Sequence, residues 1–239
     1  MRLRLPLVAS LLWAAPACGP PDDAAPPAGQ SIVQARRVDG PAGRPSGPRV
    51  VFVGTSLTAG FGLDSPEQGY VARLQELADS AGVAARMVNA GVSGETSAGG
   101  RRRIGWVLAA DTVDVLVLEL GANDGLRGLD TGALKENLEA IIDSTRARWP
   151  EAEIVLVGMQ VPPNLGPRYT EAFGEVFRRV ARSRSTALVP FLLEGVGGVA
   201  ELNQDDGIHP TGEGHRRMAR TVWPVLEPIL LRSGDGAPP

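Results

Sequence analysis

Short apolar runs alternate five times with longer amphipathic stretches along this 239-residue chain, and this alternation limits the folds open to it. The strand candidates cover residues 50–53, 85–89, 113–118, 154–158 and 187–189. The helix candidates cover residues 68–81, 101–109, 134–149, 170–183 and 212–231. Most of the short runs are continuous in Val, Ile and Leu, which is typical of strands covered on both faces. The sequence therefore predicts an α/β fold of three layers, with helices on both sides of a five-stranded parallel sheet.

Two of the helix candidates carry more specific expectations. In the fourth, apolar residues recur at i, i+3, i+4 and i+7, which predicts core packing for one helix face. That face consists of Phe173, Val176, Phe177 and Val180. Pro224 and Pro228 fall inside the last candidate. Because proline lacks an N–H and clashes with the preceding turn, we expect this helix to kink or break.

The first 17 residues have the layout of a secretory signal peptide. Two arginines precede an apolar run over residues 5–17, which ends in Ala-Pro-Ala and is too short to span a bilayer as a mature helix. Cys18 follows in the position of the lipid-attachment cysteine of bacterial lipoproteins, although Ala-x-Ala also suits ordinary signal peptidase. It is the single cysteine, so no intrachain disulfide can form. We expect an exported protein of the bacterial envelope or periplasm, anchored by lipid at Cys18 or otherwise secreted.

The rest of the chain divides by composition into a tether, a domain and a tail. Residues 18–48 are rich in Pro, Gly, Ala and Asp, and they cannot bury enough apolar surface to offset their ordering entropy. We expect a flexible tether there, a folded domain over residues 49–232 and a flexible tail over residues 233–239. The formal net charge of −3 argues against a nucleic-acid partner. The arginines at 101–103 are expected to be a solvated helix start or ion-pair partners for nearby acids.

Residues able to support catalysis follow the first three predicted strands, at the edge where open α/β sheets bind ligands. Ser56 follows the first strand in a turn flanked by glycines, where a serine can act as a nucleophile. Gly94 follows the second, where a glycine can bring a backbone N–H close to a reacting carbonyl. Asn123 follows the third and can donate from its amide. Each segment alone also fits an ordinary turn or helix cap, and Asn-Asp-Gly alone favours an Asx turn.

Asp206 and His209 lie three positions apart in a loop before the last helix. This spacing lets the carboxylate accept from one ring nitrogen while the other faces a serine. His215, the second of two histidines, falls within the helical pattern, so His209 is the candidate base. One loop histidine and one aspartate fall short of a three-ligand metal site.

In order and spacing, these segments resemble the conserved blocks of the SGNH, or GDSL-type, hydrolase family. The segments are GTSL at 54–57, Gly94, GAND at 121–124 and DGIHP at 206–210. The likeness runs from residue 49 to about residue 230 and is greatest to bacterial thioesterases, arylesterases and lysophospholipases. It implies a flavodoxin-like α/β/α fold and a serine esterase that needs no metal or organic cofactor. The implied roles are Ser56 as nucleophile, Asp206 and His209 as the rest of the triad, and the Ser56 N–H, Gly94 N–H and Asn123 amide as oxyanion donors.

One position departs from the family pattern. The family usually has Asp after the first glycine of the nucleophile block, whereas this chain has Thr55. A threonine hydroxyl can replace some hydrogen bonds of the turn but carries no charge. The resemblance therefore leaves the rigidity of the nucleophile loop, and with it the rate, as an open question.

The resemblance implies a small-molecule or lipid substrate with a carboxylic ester or thioester bond, such as an aryl ester, a short acyl ester, an acyl thioester or a lysophospholipid. Residues expected to contact its apolar part are Phe61, Leu63, Pro162, Asn164 and Leu165. The last three lie in a proline-rich segment that also fits a rigid connector. A carbohydrate O-acetyl esterase of the cell envelope is an alternative enzyme, and a non-catalytic ligand-binding lipoprotein on the same fold is an alternative of another class.

Overall fold

Five parallel strands form one sheet in the computed structural model, which describes residues 47–234 of the chain. The strands are β1 (Arg49–Gly54), β2 (Arg86–Asn89), β3 (Val115–Glu119), β4 (Glu153–Val157) and β5 (Ala187–Val189). Their order in the sheet is β2-β1-β3-β4-β5. Every residue of β1 and β3 is buried, as expected for strands covered on both faces. The predicted signal peptide, Cys18, most of the tether and the end of the tail lie outside the described residues.

Helices cover the sheet in two layers. They are α1 (Ser56–Ala59), α2 (Tyr70–Ser80), α3 (Ser97–Ala109), α4 (Ala122–Leu126), α5 (Thr131–Arg148), α6 (Pro167–Arg184) and α7 (Gly212–Gly234). Helix α2 packs against α7, whereas α3, α5 and α6 pack side by side. Since right-handed crossovers run first from β1 to β2 and then back past β1 to β3, α2 and α3 lie on opposite faces. The predicted three-layer α/β/α fold is confirmed.

The change of direction at β1 positions the functional loops. Strand β1 lies between β2 and β3, and the register of the central pair brings Gly54 opposite Glu119. The carboxyl ends of these three strands therefore meet at the topological switch point, where α/β sheets of this kind bind ligands. The segments that follow them carry Ser56, Gly94 and Asn123.

The last helix does not break, and in this respect the sequence prediction is wrong. Helix α7 continues through Pro224 and Pro228, both of which are exposed. Each proline removes the N–H partner of the carbonyl four residues earlier, and those carbonyls belong to Arg220 and Pro224, both exposed residues. Water can hydrate a carbonyl at the surface, while the opposite face stays packed in the core through Val222 and Leu226. The helix therefore tolerates both prolines.

The predicted core face of α6 is confirmed, because Phe173, Val176, Phe177 and Val180 are all buried. Helix α3 begins four residues earlier than predicted. Thr96 caps it by accepting a hydrogen bond from the Gly99 N–H (3.3 Å). This cap offsets the low helix propensity of the two glycines in the first turn.

Candidate active site

Strand β1 ends in a tight turn that presents Ser56. Ser56 is the first residue of α1, and Thr55 caps this helix by accepting a hydrogen bond from the Leu57 N–H (3.4 Å). Gly60 ends the helix with φ of 74°, a left-handed conformation that favours glycine. The first N–H groups of a helix have no partner within it. The turn therefore offers both the hydroxyl and the backbone N–H of Ser56 to a ligand.

His209 bridges Ser56 and Asp206. Its Nε2 lies 2.9 Å from Ser56 Oγ, and its Nδ1 lies 2.6 Å from Asp206 Oδ2. A neutral ring that donates from Nδ1 to the carboxylate leaves Nε2 to accept the serine proton. The structure thus brings together the three residues predicted as a triad.

Asp206 is held by the backbone as well as by the histidine ring. Its Oδ1 accepts hydrogen bonds from the N–H groups of Ile208 (2.9 Å) and His209 (3.0 Å). The hydrogen bond from the His209 ring, followed by these backbone bonds, lowers the pKa of Asp206 to about 2. Asp206 is therefore ionised at neutral pH. Gln204 ties the same loop to the nucleophile side by donating from Nε2 to the Phe61 carbonyl (2.8 Å).

The predicted oxyanion donors lie on the loops after β2 and β3. Gly94 has φ of 78°, and a Cβ placed there would meet nothing within 4 Å. Its backbone conformation, rather than lack of space, therefore requires glycine. Asn123 is the second residue of α4, so the Asn-Asp-Gly segment lies in a helix and not in an isolated Asx turn. Its Nδ2 donates to the Glu95 carbonyl (3.0 Å), which places the amide beside the Gly94 loop and leaves one N–H for a ligand.

Charged side chains fix these two loops to helix α3. Arg103 donates from Nε and Nη2 to the Glu95 carboxylate at 2.6–2.9 Å, and Nη2 also donates to the Ala90 carbonyl (2.7 Å). The buried Asp124 accepts hydrogen bonds from the N–H (2.8 Å) and hydroxyl (2.6 Å) of Ser97. The ion-pair interpretation of the arginine cluster is thus confirmed for Arg103. Charge-assisted bonds of this kind hold both loops in one geometry.

The residues predicted to contact the apolar part of the substrate fall into three positions. Phe61 is half exposed and lies against the triad, with its ring centroid 4.7 Å from that of His209. Leu63 is partly buried in the same loop. The remaining residues are exposed on the loop after β4, and they are Pro162, Asn164 and Leu165. Among residues 47–234, no three or more His, Cys, Asp and Glu side chains group as a metal ion would require.

Sequence reasoning gave no role to Glu119, although this residue contacts the nucleophile turn. It is the last residue of β3, and its buried carboxylate accepts hydrogen bonds from the N–H and hydroxyl of Thr55. Burial raises the pKa of Glu119 to about 7. One signal was available: an acid that ends a run of four apolar strand residues lies at the same sheet edge as Ser56. The Thr55 hydroxyl thus donates a hydrogen bond to Glu119. This bond helps to fix the nucleophile loop, although Thr55 lacks the charge of the aspartate that the family usually has there.

Comparison with known proteins agrees with this geometry. Residues 52–217 match the GDSL-like lipase/acylhydrolase family. Esterase TesA of Pseudomonas aeruginosa is 48% identical over 181 residues, which cover 76% of this chain and 89% of that protein. Thioesterase 1/protease 1/lysophospholipase L1 of Escherichia coli is 32% identical over 181 residues, which cover 76% of this chain and 84% of that protein.

A solved structure gives the same result. The crystal structure of psychrotrophic esterase EstA from Pseudoalteromonas sp., inhibited by monoethylphosphonate, matches with a TM-score of 0.72 at 31% identity. The match covers 77% of this chain and 98% of that protein. The predicted family and fold are therefore confirmed, and the chain belongs to the GDSL-like lipase/acylhydrolase family.

Proposed function

We propose that this chain hydrolyses carboxylic esters or thioesters by acyl transfer to Ser56. The observation that carries the proposal is the continuous hydrogen-bonded chain from Asp206 through His209 to Ser56 Oγ, with distances of 2.6 and 2.9 Å. The relatives named as an esterase and as a thioesterase and lysophospholipase support it, because both names describe the cleavage of acyl bonds.

The acylation step uses the triad as a proton carrier. His209 Nε2 takes the proton of Ser56 as Oγ attacks the carbonyl carbon, and the ionised Asp206 stabilises the imidazolium that forms. His209 then gives this proton to the leaving alcohol or thiol. Water attacks the acyl-enzyme by the same route, which releases the acid and restores Ser56.

Three donors stabilise the oxyanion in both steps. They are the Ser56 N–H, the Gly94 N–H and the second N–H of the Asn123 amide. Within the described part of the chain, neither of the two backbone N–H groups donates a hydrogen bond to another protein group. A ligand oxygen can therefore bind them without displacing a protein contact.

Apolar side chains around the triad favour an acyl or aryl substituent in the substrate. Phe61 lies against His209, and other exposed apolar side chains follow the remaining four strands of the sheet. They are Val92, Leu126, Leu165 and Ile208, and each follows a different strand. This surface fits aryl esters, acyl esters, acyl thioesters and lysophospholipids.

A substrate panel tests the proposal. Wild type, Ser56→Ala and the exposed-serine control Ser93→Ala would be assayed on aryl esters of increasing acyl length, acyl thioesters, lysophospholipids and an acetylated glycan. A fluorophosphonate probe would be mapped by mass spectrometry. We expect label on Ser56 and turnover in wild type and Ser93→Ala only. Folded wild type without label on Ser56 would contradict the proposal, and turnover of the acetylated glycan alone would favour a carbohydrate O-acetyl esterase.

We also propose that the protein is exported and anchored by lipid at Cys18. The sequence of residues 1–18 supports this. Separately, none of the helices within residues 47–234 has the length and hydropathy of a membrane span. Mass spectrometry of the mature N-terminus tests it. Lipid on Cys18, and its loss in Cys18→Ser, is the expected result, whereas cleavage after Ala17 with a free thiol would indicate a secreted protein.

A further inference from the structure

A buried carboxylate lies beneath the turn that carries Ser56. Glu119 has no exposed surface. Its Oε2 accepts hydrogen bonds from the Thr55 N–H (2.9 Å) and the Thr58 hydroxyl (2.7 Å), and its Oε1 accepts one from the Thr55 hydroxyl (3.0 Å). Because Thr55 and Thr58 flank the nucleophile, a single carboxylate holds α1 on both sides of Ser56.

Gly54 provides the space for this contact. In the pairing of β1 with β3, Gly54 lies opposite Glu119. A Cβ at position 54 would lie 2.6 Å from Glu119 Oε2 and closer still to Thr58 Oγ1. Side chains essentially never approach so closely, so any other residue would displace the carboxylate or Thr58. The backbone of β1 is therefore fitted to Glu119.

The hydrogen bonds continue away from the active site. The Tyr70 hydroxyl lies 2.9 Å from Thr58 Oγ1, and the Tyr70 N–H donates to His215 Nδ1 (3.2 Å). Burial, followed by the charge of Glu119, raises the pKa of Tyr70, and burial lowers the pKa of His215 to about 4. Both side chains are therefore neutral at pH 7. Every hydrogen-bond partner of Glu119 is neutral as well.

A buried carboxylate without a cationic partner is costly, which indicates that its hydrogen bonds serve a purpose. An apolar residue at 119 would leave the Thr55 N–H and two hydroxyls without their acceptor. The nucleophile is directly attached to Thr55. A displacement of a reacting group by about 1 Å can cost roughly 100-fold in rate.

We infer that Glu119 is a positioning residue for Ser56, which acts through its hydrogen bonds to Thr55 and Thr58. The inference rests on the proposed function of Ser56. Glu119 does not touch the reacting atoms. Its removal should therefore lower kcat and leave KM nearly unchanged.

Glu119→Gln is the first test, because it keeps the shape of the side chain and removes one acceptor oxygen. We expect kcat on an aryl ester to fall by roughly 10- to 100-fold, with KM changed by less than about 2-fold. The rate of fluorophosphonate labelling at Ser56 should fall in parallel. The matched control is Glu139→Gln, because Glu139 is also buried but pairs with Lys135 and Arg184 on the outer helices. It should keep full kcat.

A double-mutant cycle with Thr55 separates positioning from a general loss of structure. Thr55→Ser retains the hydroxyl and should retain kcat, whereas Thr55→Val removes it and should lose about 10-fold. If Glu119 acts through Thr55, the losses in Thr55→Val and Glu119→Gln will not multiply in the double variant. If Glu119→Gln fails to fold, the comparison of Thr55→Ser with Thr55→Val still tests the inference. Equal kcat in these two variants would overturn it.

The remaining outcomes are equally distinct. The role of Glu119 would be overturned by full kcat in folded Glu119→Gln, or by losses that multiply in the double variant. In either case, active wild type and inactive Ser56→Ala would leave the proposed function intact. Inactive, unlabelled wild type would overturn the proposed function and this inference together.

Discussion

Two carboxylates are connected to the Ser56 turn by hydrogen bonds, Asp206 through His209 and Glu119 through Thr55 and Thr58, and their surroundings differ. The Asp206 side chain is 41% exposed and bonded to the His209 ring, and its pKa is lowered to about 2. Glu119 is fully buried among neutral partners, and its pKa is raised to about 7. The exposed acid is always charged near neutrality and can stabilise an imidazolium, whereas the buried acid ties down backbone and hydroxyl groups. Solvent exposure and the nature of the partners, not residue type, separate the two roles.

The largest expected effect is on the exposed side. Asp206→Asn keeps the size of the side chain but removes the charge that holds the His209 tautomer, so kcat should fall by roughly 10⁴-fold. Asp205→Asn is the matched control, since Asp205 is the neighbouring exposed acid and should be dispensable. Steady-state kinetics on an aryl ester measures both. A smaller loss of kcat in Asp206→Asn than in Glu119→Gln would contradict this difference between the two carboxylates.

Removal of an oxyanion donor should have the next largest effect. Asn123→Ala is expected to lower kcat by about 100- to 1000-fold while the protein stays folded. Asn123→Asp sharpens the test, because it has the same size but places negative charge where the oxyanion forms, and it should be at least as slow. Kinetics together with thermal unfolding measures both variants. Full activity in Asn123→Ala would show that this amide is not a donor.

The buried acid should make the stability difference between wild type and Glu119→Gln depend on pH. Because the pKa of Glu119 rises from 4.5 to about 7 on folding, the folded state binds more protons between these pH values than the unfolded state does. This stabilisation is complete below pH 4.5 and is lost as pH rises through 7. As pH rises from 4.5 to about 7, wild type should therefore lose up to roughly 3 kcal/mol of unfolding free energy relative to Glu119→Gln. Urea denaturation at several pH values measures the difference, and a constant difference would contradict the assignment.

The exposed acid should have the smallest effect on stability, with the opposite sign. The pKa of Asp206 falls from 3.8 to about 2 on folding, so its contribution is present above pH 3.8 and is lost as pH falls through 2. The difference in unfolding free energy between wild type and Asp206→Asn should therefore shrink as pH falls below about 4. The same denaturation series, extended into acid, checks this. A difference that stays constant over this acid range would contradict the assignment.

Local patterns in the sequence predicted the fold, and the resemblance to the SGNH family joined the candidate residues into one site. Strand-helix alternation gave the sheet, and each candidate residue followed a strand or preceded the last helix. Glu119 was missed because its role depends on the pairing of Gly54 with Glu119 and on the position of Thr58, contacts more than 60 residues apart that no local pattern encodes. The break predicted at the two prolines of α7 was wrong for a related reason, since the free-energy cost of a proline in a helix depends on which helix face is exposed.

The hydrogen bond between Ser56 and His209 joins positions 153 residues apart, and this separation affects when the chain gains activity. Contacts between distant residues form late in folding, because a long segment must be ordered before they close. During synthesis the segment with the nucleophile emerges long before the segment with its base. An incomplete chain therefore contains a serine with the reactivity of an ordinary alcohol, and esterase activity measures how much of the protein has been made and folded.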